Sequence, residues 1–257
     1  MKNILFLYFI YFLMGCSSQS DIPNLAIINE TPLLKSKSAG YFKSIGQNPF
    51  WSLEIAEDEI RFKEIESGKE WVSAHVEPIR AEDSNIKLYR LNTLTGEMLV
   101  NIKSKNCSSG LSDLMVDYQV DIEIKDSNLE DGKRYYSGCG NYVIDYRLFD
   151  VWYLEELDGK KVSSVDFAKE IPSIVINSAE KIFSGYGGCN RISGTIFQER
   201  ELLRFTNVLA TQMACEESNK ENKFIQSLQS STAYKIKNNR LYLIHSDKIK
   251  MIFKKMD

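Results

Sequence analysis

Tyr118-Gln119-Val120-Asp121-Ile122-Glu123-Ile124 alternates apolar and polar residues without a break. Successive side chains of a strand point to opposite faces, so this period of two reads as a strand with one face buried and one in water. The same alternation appears at Ile60-x-Phe62 and at Met98-x-Val100-x-Ile102. Asn92-Thr93-Leu94-Thr95-Gly96 lies between two such runs and reads as a hairpin loop. No helical stripe is evident from about Tyr41 to Leu148, which is expected to be almost all sheet.

A second segment starts near Val151. Its strands are expected at Ser173–Ile176, Lys181–Tyr186, Arg191–Phe197, Tyr234–Ile236, Leu241–Ile244 and Lys250–Phe253. Lys237-Asn238-Asn239-Arg240 suits a tight hairpin, because Asn tolerates positive φ. Glu217 to about Ser230 reads as a helix, with Phe224, Ile225 and Leu228 on one face and acidic residues in its first turn. The fold class is therefore mainly β (a β-rich α+β protein), with two small antiparallel β domains at residues 41–148 and 149–257.

The chain has 257 residues, with 43% hydrophobic and 26% charged residues and a net charge of −3. These values are ordinary for a globular protein. A mildly acidic chain without a basic block argues against a nucleic-acid partner.

The first residues carry a different signal. Lys2 is followed by the apolar run Ile4–Phe12 and then by Leu13-Met14-Gly15-Cys16. The run is too short to span a bilayer, which takes roughly 20 apolar residues. Leu-x-Gly-Cys resembles the lipobox of bacterial lipoproteins. That resemblance implies cleavage after Gly15, a diacylglycerol on the Cys16 sulfur and acylation of the new amine. Two or three acyl chains make a lasting anchor where one is marginal. Removal of residues 1–15 takes Lys2 with it and brings the net charge from −3 to −4. Residues 16–40 read as a lipidated tether, with Leu25, Ile27 and Ile28 as an alternative extra strand. Ser17 stands where enteric bacteria place an Asp to retain lipoproteins at the inner membrane. By that analogy the protein is expected at the outer membrane, facing either side.

Five cysteines are present, and lipidation of Cys16 leaves four. The simplest pairing is Cys107 with Cys139 and Cys189 with Cys215, one bridge in each half, while two other connectivities stay open. Each bridge closes a loop of about 30 residues, worth roughly 3–4 kcal/mol in the chain-entropy view. No Cys-x-x-Cys suggests zinc. A catalytic cysteine needs a histidine, and the chain has His75 and His245.

Residues from about 150 to the end carry Trp152-x-Leu154, Gly159, Gly185-x-Gly187-Gly188-Cys189-Asn190-Arg191-x-Ser193-Gly194, Phe205 and Thr211-x-Met213-Ala214-Cys215. Phe224, Leu228, Leu241-x-Leu243 and Met251-x-Phe253 follow. This pattern resembles the META domain, also called the HslJ-like domain, of bacterial envelope lipoproteins. The resemblance implies a curved sheet with one packed helix and a role in envelope stress and drug tolerance, with no reaction assigned. Asn190, Arg191 and Thr211 are the candidates to line a ligand groove. The alternative is that they cap turns and bond backbone groups. The Gly-rich stretch lacks Gly-Lys-Ser/Thr and leads into a strand, which argues against a phosphate loop.

The first segment opens with Ile45-Gly46-Gln47-Asn48-Pro49-Phe50-Trp51, continues to Cys107-Ser108-Ser109-Gly110-Leu111-Ser112-Asp113, and reaches Gly138-Cys139. It resembles an uncharacterised family of bacterial envelope proteins, often joined to META domains. This chain has Asn48 where that family has Glu, and Leu111 where it has Met. Phe50 and Trp51 read as core aromatics, and Asp113 as a turn residue.

These features lead to a non-enzymatic, membrane-anchored envelope lipoprotein without cofactor or metal. It is expected to act in envelope maintenance or stress by binding a protein or a small ligand. Two alternatives stand beside it. One is an inhibitor of an exogenous hydrolase, plugging with the Cys107–Tyr118 segment. The other is an envelope hydrolase with a site between the two domains, where His75 beside a carboxylate would be the sign.

Overall fold

The computed structural model describes residues 38–108, 116–168, 170–215 and 219–255. The leader, Cys16 and most of the tether lie outside the described residues, as do residues 109–115 of the expected plug segment.

The first segment forms one antiparallel sheet of nine strands. They are β1 (Phe42–Gly46), β2 (Trp51–Ile55), β3 (Glu59–Glu64), β4 (Glu70–Ala74), β5 (Ile79–Arg80), β6 (Ile86–Asn92), β7 (Gly96–Cys107), β8 (Val116–Asp126) and β9 (Lys133–Tyr142). The spatial order is β4-β3-β2-β1-β9-β8-β7-β6-β5, so the last strand returns to pair with the first. The alternation seen in the sequence maps onto burial. Val120, Ile122 and Ile124 are buried, as are Met98, Val100 and Ile102, while Gln119, Asp121 and Glu123 are less so. The predicted loop turns the chain between β6 and β7, with Asn92 opposite Glu97.

Trp51 is seated against bare backbone in this core. It is 1% exposed. A Cβ on Gly46 would stand 2.2 Å from its Nε1, and one on Gly138 would stand 2.6 Å from its Cζ2. The two motif glycines therefore leave the backbone bare so that an indole can lie across it. Phe62 and Tyr136 pack against the ring at centroid distances of 5.5 and 6.4 Å. Trp51 is a core aromatic as expected, whereas Phe50 is 44% exposed and is not.

The second segment is also a nine-stranded antiparallel sheet with one helix. It contains β10 (Val151–Leu157), β11 (Lys160–Lys161), β12 (Ser173–Asn177), β13 (Ile182–Tyr186), β14 (Arg191–Glu199) and β15 (Leu202–Ala210). Then come α1 (Glu221–Ser230), β16 (Ala233–Lys237), β17 (Arg240–His245) and β18 (Lys248–Lys255). β10 pairs with both β12 and β18, so the sheet curls back on itself. Its thinnest join is β15 to β16, held by the single pair Leu202 and Ala233. α1 packs there and sends Phe224 and Leu228 fully into the core. Asn238 and Asn239 take φ of 52° and 56°, as their hairpin requires.

Two sequence expectations need correction. The helix starts at Glu221 rather than Glu217, because Asn219 Oδ1 accepts the Glu221 N–H and turns the chain just before it. β10 and β15 are not among the expected strands, and in β15 the reason is visible. Leu203 and Phe205 keep the inward phase, but Asn207 at φ 52° breaks the alternation that would have revealed it.

The two sheets have separate apolar cores, and polar contacts join them. The β14–β15 turn carries Glu199, 3% exposed, into the first sheet. There its carboxylate accepts from Lys87 Nζ at 2.9 Å, from Asn85 Nδ2 at 2.7 Å and from the Tyr118 hydroxyl. Lys87 Nζ lies 5.8 and 5.4 Å from the ring centroids of Tyr118 and Tyr142. Burial pulls the Lys87 ammonium below its ordinary range, against the pull of Glu199. The next residue, Arg200, stacks 4.7 Å over the Tyr41 ring and pairs with Glu57 and Glu77.

The Trp51 seat yields a direct test. Gly138→Ala would also bring its methyl within 2.2 Å of the Ile45 carbonyl oxygen. Overpacking of this kind costs about 1–3 kcal/mol. Urea unfolding should show a lower midpoint with an unchanged slope; a midpoint equal to the parent's would mean the indole is not seated on this backbone.

Candidate ligand trough

The sequence points first to the Gly-Gly-Cys-Asn-Arg turn between β13 and β14. Its cysteine is bonded to Cys215, with Cα atoms 6.1 Å apart, and Cys107 is bonded to Cys139, at 5.6 Å. Both bridges follow the simplest pairing. Gly188 takes φ of +111°, and a Cβ there would meet the Phe167 ring at 2.4 Å.

Asn190 does not line a groove. It is 6% exposed, and its side chain is fully engaged. Nδ2 donates to Glu221 Oε2 at 2.7 Å, and Oδ1 accepts from Thr211 Oγ1 at 2.9 Å and from the Met213 N–H at 2.8 Å. Glu221, in the first turn of α1, also accepts the backbone N–H of Cys189 at 3.2 Å and of Asn190 at 2.6 Å. The turn does present a cluster of amides suited to an anion, and the protein's own Glu221 fills it. The sequence reading places acidic residues in the first turn of this helix and gives Glu221 no role of its own. The turn it holds lies 31 residues away along the chain.

Thr211 and Arg191 do reach the surface trough. It has a volume of about 920 Å³ on the outer face of β13, β14 and β15, beside the bridge. Ser184, Ser193 and Thr211 supply exposed hydroxyls along it, and Leu209 and Met213 are apolar and 69% and 48% exposed. Thr211 Oγ1 is already engaged, since it donates to Asn190 and accepts the Arg191 N–H at 3.2 Å. The Arg191 guanidinium is exposed and makes neither ion pair nor hydrogen bond among the described residues. Tyr186 is part of the lining, and its hydroxyl is buried without a partner. Burial, together with Glu170 and Glu221, pushes that phenol above its ordinary value and keeps it a neutral donor. The trough thus presents one unpaired cation, the Glu170 carboxylate, several hydroxyls and two apolar side chains, while the Tyr186 hydroxyl is closed off from solvent.

The histidines sit elsewhere. His75 Nε2 is 2.9 Å from the Tyr41 hydroxyl, at the edge of the junction. Glu77, two residues on, bonds the Arg200 guanidinium, as does Glu57. His245 lies at the end of β17 with its Nδ1 buried and unpartnered. Cys16 and Asp113 lie outside the described residues.

The division of labour within the turn is measurable. Asn190→Ala strips hydrogen-bond partners from Glu221 and from the Thr211–Met213 segment, and should cost about 1–3 kcal/mol in denaturant unfolding. Arg191→Ala should stay within about 0.5 kcal/mol of the parent. The reverse order would exchange the structural and surface roles assigned to these neighbours.

Residues 148–257 match the META domain family. Its first matched residue, Leu148, is buried in the second core and accepts a bond from Trp152 Nε1 at 3.0 Å. Among solved structures, the chain is similar to a protein known by NMR, with 26% identity over 42% of this chain and 89% of the other, at a TM-score of 0.34. It is also similar to a protein from Burkholderia xenovorans known by NMR, with 21% identity over 43% of this chain and 85% of the other, at a TM-score of 0.34. A DUF4847 family protein from Bacteroides vulgatus, known from a crystal structure, shares 18% identity over 43% of this chain and 96% of its own, at a TM-score of 0.31. No curated protein matches the chain. The stretch that matches the META domain family takes in the curled sheet, its single packed helix and the cysteine-bridged Gly-Cys-Asn-Arg turn.

Proposed function

We propose that this is a lipid-anchored envelope protein that works by binding rather than by catalysis. Cys16 carries the anchor, and the outer membrane holds it. The META trough takes an envelope protein or a small ligand in the service of envelope maintenance or stress. The observation that carries the reading is the trough itself. An unpaired Arg191, the exposed Ser184 and Ser193 and the exposed Leu209 and Met213 share one concave surface. Polar groups that fix orientation beside apolar area are what a recognition site needs. Two disulfides support export, since such bridges persist in oxidising compartments.

Two measurements test this reading. Cys16→Ala should release the protein into soluble fractions and abolish labelling by a radioactive fatty acid; label retained by that variant would end the anchor claim. Arg191→Ala combined with Leu209→Ser should leave folding and localisation intact yet fail to complement an envelope-stress phenotype. Full complementation at matched protein levels would remove the trough from the function.

A further inference from the structure

Five of the nine arginines of the chain pair with carboxylates, namely Arg61, Arg134, Arg147, Arg200 and Arg240. Arg80, Arg90, Arg191 and Arg204 make no ion pair among the described residues. Two of these four, Arg80 from β5 of the first sheet and Arg204 from β15 of the second, line the same pocket. The pocket lies where the sheets meet, measures about 280 Å³, and is also lined by Ser84, Glu82, Lys87 and Glu199.

The charges do not cancel there. Both Glu199 oxygens are engaged, Oε2 by Lys87 and Oε1 by Asn85 and Tyr118. Lys87 and Glu199 therefore neutralise one another at the pocket wall, and the lining holds two guanidinium groups to the one remaining carboxylate, Glu82, with Glu77 outside it also under the Arg80 charge. An unpaired arginine on open surface is ordinary. Two from different sheets, converging on one concavity, form a site that exists only when the sheets are joined. Each guanidinium offers a planar fork of donors that takes two oxygens of an oxyanion. A carboxylate satisfies one fork, whereas a tetrahedral phosphoryl group has oxygens for both. The volume lies at or below the lower end of ordinary ligand pockets, about 300–1,000 Å³, which suits a small anion or a headgroup rather than a larger molecule.

We infer that this pocket binds a phosphoryl group between Arg80 and Arg204, with the Ser84 hydroxyl as a third donor, and that the bound group clamps the two sheets together. This site is separate from the META trough and does not depend on it.

The test is calorimetric titration of the full chain with inorganic phosphate, alongside flotation with phosphatidylcholine vesicles with and without phosphatidic acid. Phosphate or phosphatidic acid vesicles should bind the parent chain. Arg80→Gln and Arg204→Gln should each weaken that binding about tenfold or more. Arg204→Lys, which keeps the charge and loses the fork, should fall between. Arg90→Gln, an unpaired arginine outside the pocket, should bind like the parent. Loss in the vesicle arm identifies a lipid headgroup as the source, and loss in the free-phosphate arm alone identifies a soluble phosphoryl compound. Binding unchanged in an Arg80→Gln, Arg204→Gln double variant, or no binding by the parent in either arm, overturns the site.

Discussion

A carboxylate of one sheet buried in the other is the constraint on which this architecture depends. Transfer of Glu199 and Lys87 out of water costs several kcal/mol for each ion. The cost is met only if the geometry is good and the remaining hydrogen-bonding positions are filled. Here they are: Lys87, Asn85 and Tyr118 converge on Glu199, and the Tyr118 and Tyr142 rings flank the ammonium. Such a pair adds little stability over a well-packed apolar substitute, but its loss on one side only leaves a charge stranded. It therefore fixes one docking of the sheets over others. Arg200, one residue on, consolidates that docking on Tyr41, Glu57 and Glu77.

The same constraint directs where function can lie. Both interiors are filled by large side chains, Trp51, Phe62 and Tyr89 in one and Trp152, Phe183 and Phe253 in the other. Two concave surfaces, shaped by turns, lie outside these interiors. One is the trough beside the Cys189–Cys215 bridge, whose walls stand because Glu221 and Asn190 hold the turn from inside. The other is the pocket at the junction, which the docking of the sheets creates.

Much of this was legible in the sequence. Sequence patterning located nine of the eighteen described strands, the Asn-Asn turn located its hairpin, and the cysteine count led to the simplest pairing of the bridges. Some of what was missed had a signal. In Ile86-Lys87-Leu88-Tyr89-Arg90-Leu91 the period places Lys87 on the face of Tyr89 and Leu91, and that face is the buried one. Glu64 and Asp126 likewise end the buried stripes of β3 and β8. Glu199 had none. It falls out of phase with the buried Ile192 and Ile196 of its own strand, and its partners lie in the other sheet, 81 to 114 residues back along the chain. Asn190 and Arg191 are neighbours with opposite fates, which no spacing rule separates. The helix of Glu221 and the turn it holds meet only in three dimensions.

The most direct test of this account is a double-mutant cycle of Lys87→Met and Glu199→Gln in denaturant unfolding. Groups in such contact couple by about 0.5–3 kcal/mol, and a buried ion pair belongs in the upper part of that range. The account predicts that each single variant is strongly destabilised and that the double variant recovers much of the loss. Additive losses, with a coupling near zero, would contradict it.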